Sequence, residues 1–253
     1  MNKIIFLLVA TFTTFNFCRA LPNVNGKPIT HEAWNKLLKK HVDSKGFVDY
    51  KGFIKDSVAL NSYLKMLSDN EPADSWQKDE KLAFWINAYN AFTVKLIIDH
   101  YPVKSIKDIG SKIQIPFVNT PWQKKFIQMG DKKIKLDDIE NNIIRKKFTE
   151  PRIHFAIVCA SISCPKLRNE AYEASKLDAQ LTDQAKAFLS DPTRNKPDAT
   201  NPKLSHIFQW FNGDFEKTGL TKIEFINKYS PIKINADANI DYMNYDWGLN
   251  EQK

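Results

Sequence analysis

The chain has 253 residues, of which 43% are hydrophobic, 26% charged and 12% aromatic, a balance that excludes both a disordered polar chain and a bundle of membrane helices. Only eight Gly and twelve Pro occur, so no stretch is collagen-like or linker-dominated, and no self-similar period signals a solenoid or propeller. The formal charge of +8 is spread along the whole chain; phosphate binding needs basic groups gathered into a patch, so nucleic acid is not an expected partner.

The first twenty residues differ from the rest. Lys3, the apolar run from Ile4 to Ala10 and Cys18-Arg19-Ala20 before Leu21-Pro22 predict a secretory signal peptide cut after Ala20, leaving residues 21–253 as a single domain. The apolar run is too short to span a bilayer stably. A lipoprotein signal acylated at Cys18 is the competing reading, and Phe15-Asn16-Phe17 puts bulk where such signals have small residues. No later stretch is long and apolar enough for a membrane helix, so the expected protein is secreted or periplasmic, without an integral membrane segment after signal removal.

Two helical pieces follow, carried by Trp34, Leu37, Leu38 and His41 and then by Leu60, Tyr63, Leu64 and Leu67, with Gly46 to Tyr50 breaking them. The strongest helix runs from Asp79 to about Tyr101, closed by Pro102 and apolar nearly all round. Such a helix is buried, which makes its amides Asn87 and Asn90 informative: each needs hydrogen-bond partners, from neighbouring loop backbone or from a substrate. After a loop around Pro116 to Trp122, Phe126 to Met129 and Ile134 to Leu136 alternate about Gly130-Asp131 and predict a hairpin.

Asp137 and Asp138 open a short amphipathic helix from Ile139 to Lys146, bearing Glu140 and Arg145. Ile153 to Val158 reads as a buried central strand, and a helix follows at about Ser175 to Leu189. The polar stretch Asp191 to Pro202 is a loop. Leu204 to Phe208, Lys222 to Tyr229 and Ile240 to Trp247 supply further strands and a helix. The sum is an α+β fold with N-terminal helices, a buried central helix and a small, mainly antiparallel sheet.

The chemistry is concentrated between Pro151 and Arg168, where His154 precedes Cys159 by five residues and Cys164 by ten. Two thiols in an oxidising compartment usually pair, so one expectation is a Cys159–Cys164 disulfide closing a small loop, with His154 structural. The other is a nucleophile. On a straight strand positions 154 and 159 point to opposite faces, whereas Cys164, beyond the turn and near Lys166 and Arg168, can fold back toward His154. A zinc site is disfavoured, because two Cys and one His lack a fourth ligand and the short Cys spacings of structural zinc motifs. No phosphate loop or cofactor fingerprint appears, so a cofactor-free reaction is expected.

These residues resemble the DUF547 domain family. The resemblance rests on Val48-Asp49-Tyr50, on Leu82 to Thr93 with Asn87 and Asn90, on Leu136 to Glu140 with Arg145, and on Pro151 to Pro165 with the following helix, together covering about residues 45–215. It implies the family fold, and by analogy of architecture a likeness to papain-like and transglutaminase-like thiol enzymes. Carried over by position, it marks His154, Cys159 and Cys164, with Asn87, Asn90 and Glu140 as supports. The residue after Glu140 is commonly His in the family and is Asn141 here, which puts a family general base in doubt.

Three functions fit. One is an exported thiol hydrolase or acyl-transfer enzyme acting on a peptide or small amide. It would use Cys164 or Cys159 as nucleophile, His154 as base, Glu140 or Asn87 as orienter, and backbone amides around Ser163 to Cys164 as oxyanion donors. Another is a non-catalytic binding protein with the structural disulfide. The third, an envelope-associated interaction protein, needs the six Trp and 17 Phe to form an exposed patch.

Overall fold

A computed structural model describes residues 26–110 and 120–253. The predicted signal peptide, and the part of the Pro116 to Trp122 loop before residue 120, lie outside the described residues. Helices α2 (Tyr50–Lys55) and α3 (Ser57–Asp69) pack against α4 (Lys78–Ile98), with α1 (Glu32–His41) on α2 and α3, and α4 is buried from Leu82 to Val94 as its all-round apolar sequence requires. The Gly46 to Tyr50 break is followed at once by α2, whose start is capped by Asp49 accepting from the Gly52 N–H at 2.8 Å. Strands β1 (Ile127–Met129) and β2 (Lys132–Ile134) form the predicted hairpin.

The predicted helix after Asp138 begins as a π-helix over Asp138–Ile144 and closes as the short α5 (Arg145–Lys147), the Arg145 N–H reaching back to the Glu140 carbonyl. Beyond it come α6 (Leu177–Ser190), β3 (Lys203–Ser205), α7 (Ile207–Trp210), α8 (Asn212–Glu216), α9 (Lys222–Tyr229) and β4 (Asp241–Met243). The fold is α+β, with β1–β2 antiparallel and β3–β4 a separate parallel pair rather than one continuous antiparallel sheet. Two apolar cores meet beside α4. The larger gathers α1–α4 and residues 153–181, and the smaller is a Phe cluster of Phe155, Phe188, Phe208, Phe215 and Phe225.

The expected central strand is not a strand. Pro151–Phe155 forms a 3₁₀ turn, with Pro151 in its first turn and the Glu150 carboxylate accepting the Arg152 N–H. A continuous apolar run is buried in either conformation, so its composition does not distinguish them. What a neighbouring strand would supply comes from α4. Asn90 Nδ2 donates to the Ala156 carbonyl at 2.9 Å, and the Val158 N–H donates to Asn90 Oδ1 at 2.9 Å. Asn87 does the same for Tyr172, donating to its carbonyl at 2.8 Å and accepting its N–H at 3.0 Å. Asn90→Ala leaves two buried backbone groups unpaired and is expected to cost about 2–4 kcal/mol, read as a lowered urea midpoint; a loss below about 1 kcal/mol would contradict this role.

Candidate functional site

A cavity of about 730 Å³ opens where the two cores meet. Its walls are largely aromatic, from Tyr89, Trp122, Trp210, Phe211, Tyr245 and Trp247. Its polar groups include Lys107, Asp137, Glu140, Asn141, Arg145, His154 and the two cysteines. That combination of apolar walls and few convergent polar groups is the common form of a small-molecule site. Positions 137, 140, 141 and 145 reach the same cavity because the π-helical segment presents one face to it.

Cys159 and Cys164 are free thiols with their sulfurs 2.9 Å apart. The turn between them is made by Ala160 in the left-handed region (φ 58), a strained conformation for a residue with a side chain. The turn is held from outside: the Ile162 and Ser163 N–H groups donate to the Gly248 and Asp246 carbonyls, and Arg194 donates to the carbonyls of Ile162 and Cys164. The thiols have opposite environments. The hydrogen bond from Cys164 is the largest of several that bring the Cys159 thiol down to about 7 against the effect of burial; Ser161 and the Tyr245 hydroxyl, 3.4 Å away, add to it. Burial pushes Cys164 well above its ordinary value.

His154 does not touch either thiol. Its ring stacks on Phe211 with centroids 4.0 Å apart, and its Nε2 lies 2.8 Å from Asp214 Oδ2. Burial lowers its pKa against the pull of Asp214, so the ring is neutral at pH 7 and Nε2–H is assigned as the donor. Asp214 also accepts from Arg145, which in turn donates to Asn141, and from Lys217 at 2.6 Å. On the cavity wall, burial raises the Glu140 carboxyl to about 7 against the opposing effects of Arg145 and the Tyr89 hydroxyl, which lies 3.2 Å from it; the nearby Cys159 charge adds to the rise. Lys107 sits over Trp247, 3.8 Å from the ring centroid.

The structure therefore brings Cys159, Cys164, His154 and Glu140 to one cavity and leaves Asn87 out, its amide being used on Tyr172. The structure bears on four of the alternatives that the sequence left open. Cys159, not Cys164, is the thiol poised to ionise, because Arg168 is taken by Glu170 and Asp183 while Cys164 is buried. The N–H groups of Ser163 and Cys164 are committed to the carbonyls of Asp246 and Ser161, so they are not oxyanion donors. The sulfurs are not joined in this structure. The aromatic residues fill the cores and line the cavity, and among the described residues Trp210 is the one aromatic among the exposed large hydrophobics. Asp214, Tyr245 and Trp247 were not expected at the site. Asp214, an acid within the aromatic-rich Ile207 to Phe215 stretch, carried the only local signal.

The fold and this cavity define an α+β domain with a pocket lined by two free cysteines. Residues 73–189 match the model of the family described as "Protein of unknown function, DUF547", so this stretch of the chain is a domain of that family. No curated protein and no solved structure matches the chain. The match includes Glu140, His154, Cys159 and Cys164, whereas Asp214, Tyr245 and Trp247 lie beyond it.

Proposed function

We propose that this protein is an exported thiol hydrolase or acyl-transfer enzyme acting on amide or ester carbonyls, with Cys159 as nucleophile. The observation that carries this reading is a thiol lowered to about 7 facing an apolar cavity whose wall also bears the titrating carboxyl of Glu140. The thiolate adds to the carbonyl carbon, Glu140 in its protonated form gives the leaving amine its proton, and its carboxylate then activates the water or amine that removes the acyl group. His154, held by Asp214, is a positioning residue that packs on Phe211, while the same Asp214 holds Arg145 on the wall. The aromatic walls favour a substrate with a ring or apolar acyl group beside the carbonyl. Export rests on the leader-like first twenty residues.

The probe is p-nitrophenyl acetate, read by intact mass and peptide mapping, together with the pH dependence of iodoacetamide alkylation. An acetyl group on Cys159, absent in Cys159→Ser, and an alkylation midpoint near 7 are expected. Cys164→Ala should move that midpoint up toward the ordinary value of about 8.5 and slow alkylation at pH 6 by roughly tenfold. No acyl adduct, or a midpoint already near 8.5 in the unaltered chain, would overturn the proposal. The non-catalytic binding reading would then lead, favoured by the absence of any hydrogen bond between His154 and a thiol among the described residues.

A further inference from the structure

We propose that Cys159 and Cys164 form a dithiol–disulfide exchange centre whose oxidant is a small-molecule disulfide admitted by the cavity. The inference stands apart from acyl transfer, since it needs only the two sulfurs and access to one of them.

Three observations carry it. The sulfurs are 2.9 Å apart, so reaching the roughly 2.0 Å of an S–S bond asks for under about 1 Å of movement. The turn that sets this approach is fixed from both sides. Besides the bonds to Gly248, Asp246 and Arg194, the Asn250 N–H donates to the Ala160 carbonyl, and the Cys159 N–H lies 3.0 Å from the Cys164 sulfur. The two thiols are also unequal. Both line the cavity, but Cys159 is partly exposed there, whereas Cys164 is buried with 3% exposure. An entering reagent therefore meets Cys159 first. The Ser161 and Tyr245 hydroxyls, 3.2 and 3.4 Å from its sulfur, support the thiolate.

The order of events follows. The Cys159 thiolate attacks one sulfur of R–S–S–R, forming a Cys159–S–S–R mixed disulfide and releasing RS⁻, which takes a proton from solvent. The Cys164 sulfur then attacks the Cys159 sulfur, the second RS group leaves, and it carries away the Cys164 proton as RSH. Two protein thiols are oxidised and one small disulfide is reduced to two thiols. In the oxidised state neither sulfur is a nucleophile.

The test incubates the full chain with oxidised glutathione and follows it by intact mass and peptide mapping. The unaltered protein should lose two hydrogens, with the linkage mapping to 159–164 and little adduct persisting, and dithiothreitol should restore both thiols. Cys164→Ala should accumulate a single glutathionyl group on Cys159, and Cys159→Ala should react at position 164 at least tenfold more slowly. A stable glutathionyl adduct on the unaltered chain, or equal reactivity of the two thiols, would overturn the proposal. Because no acyl donor is present, failure here leaves the acyl-transfer reading standing, and success does not depend on it. If Cys164→Ala folds poorly, the rate at which the mixed disulfide resolves in the unaltered chain separates the same two outcomes: fast loss of the adduct supports the exchange centre, and a persistent adduct overturns it.

Discussion

Asp214→Asn is expected to destabilise the protein by about 2–4 kcal/mol, a fall in Tm of roughly 5–15 °C. Asp214 is buried, and its two oxygens serve Arg145, His154 at 2.8 Å and Lys217 at 2.6 Å. Asparagine keeps the shape and removes the charge, leaving the Arg145 and Lys217 cations unpaired. Both are partly exposed, which keeps the loss below that of a fully enclosed pair. The pH dependence has a defined sign. Burial pushes the Asp214 carboxyl up, but the hydrogen bonds from His154, Arg145 and Lys217 outweigh it and hold the group well below the usual carboxylate range. Its contribution is therefore complete above the unfolded value of about 3.9 and is lost as pH falls below it. His154 adds a second acid limb: its folded value is lowered by burial, so the unfolded chain binds the extra proton below about 6.5 and stability declines from there. Thermal melts from pH 2 to 8 should show Asp214→Asn lower at every pH above about 4, with the gap to the unaltered protein closing only below that. A variant within 1 kcal/mol of the unaltered protein at pH 7 would mean that the network adds little.

Glu140→Gln should do the opposite to stability and remove function. Burial raises the Glu140 carboxyl to about 7, so the folded state holds a proton that the unfolded chain releases above about 4.3, and stability is lost as pH rises from there to about 7. Glutamine removes that loss. With cavity water screening part of the effect, the variant should be more stable by about 1–3 kcal/mol at pH 8 and unchanged near pH 4. Removing a negative charge near Cys159 should also lower the thiol alkylation midpoint, since each charge raises the other's pKa. Acyl transfer should fall by roughly 10²–10⁴, the usual contribution of a proton-transferring group. Destabilisation at pH 8 would instead make the carboxylate a structural acceptor for Tyr89, which lies 3.2 Å from it.

Much of the local structure was legible in the chain. The apolar spacing of Trp34, Leu37, Leu38 and His41 predicted α1, the unbroken apolar stretch after Asp79 predicted a buried α4, and alternation around Gly130-Asp131 predicted the hairpin. Ile153 to Val158 misled because burial makes a strand and a 3₁₀ turn look alike. Its deciding partner, Asn90, lies more than sixty residues away in sequence. Residue identity likewise marked Cys159, Cys164, His154 and Glu140, yet nothing local indicated that Cys164 would be the buried thiol or that His154 would turn to Asp214.

Side-chain type and periodicity within one element were enough to mark residues able to carry chemistry, the helix that is buried and the amides that need partners. Which thiol is lowered, which is raised and what faces each followed from the folded chain. Those outcomes depend on contacts between distant segments: Tyr245 and the 246–250 segment against the 159–164 turn, Asp214 against His154, and Tyr89 against Glu140. Burial and hydrogen bonding at such contacts set the charge state of each group, and neither exists until the chain has folded.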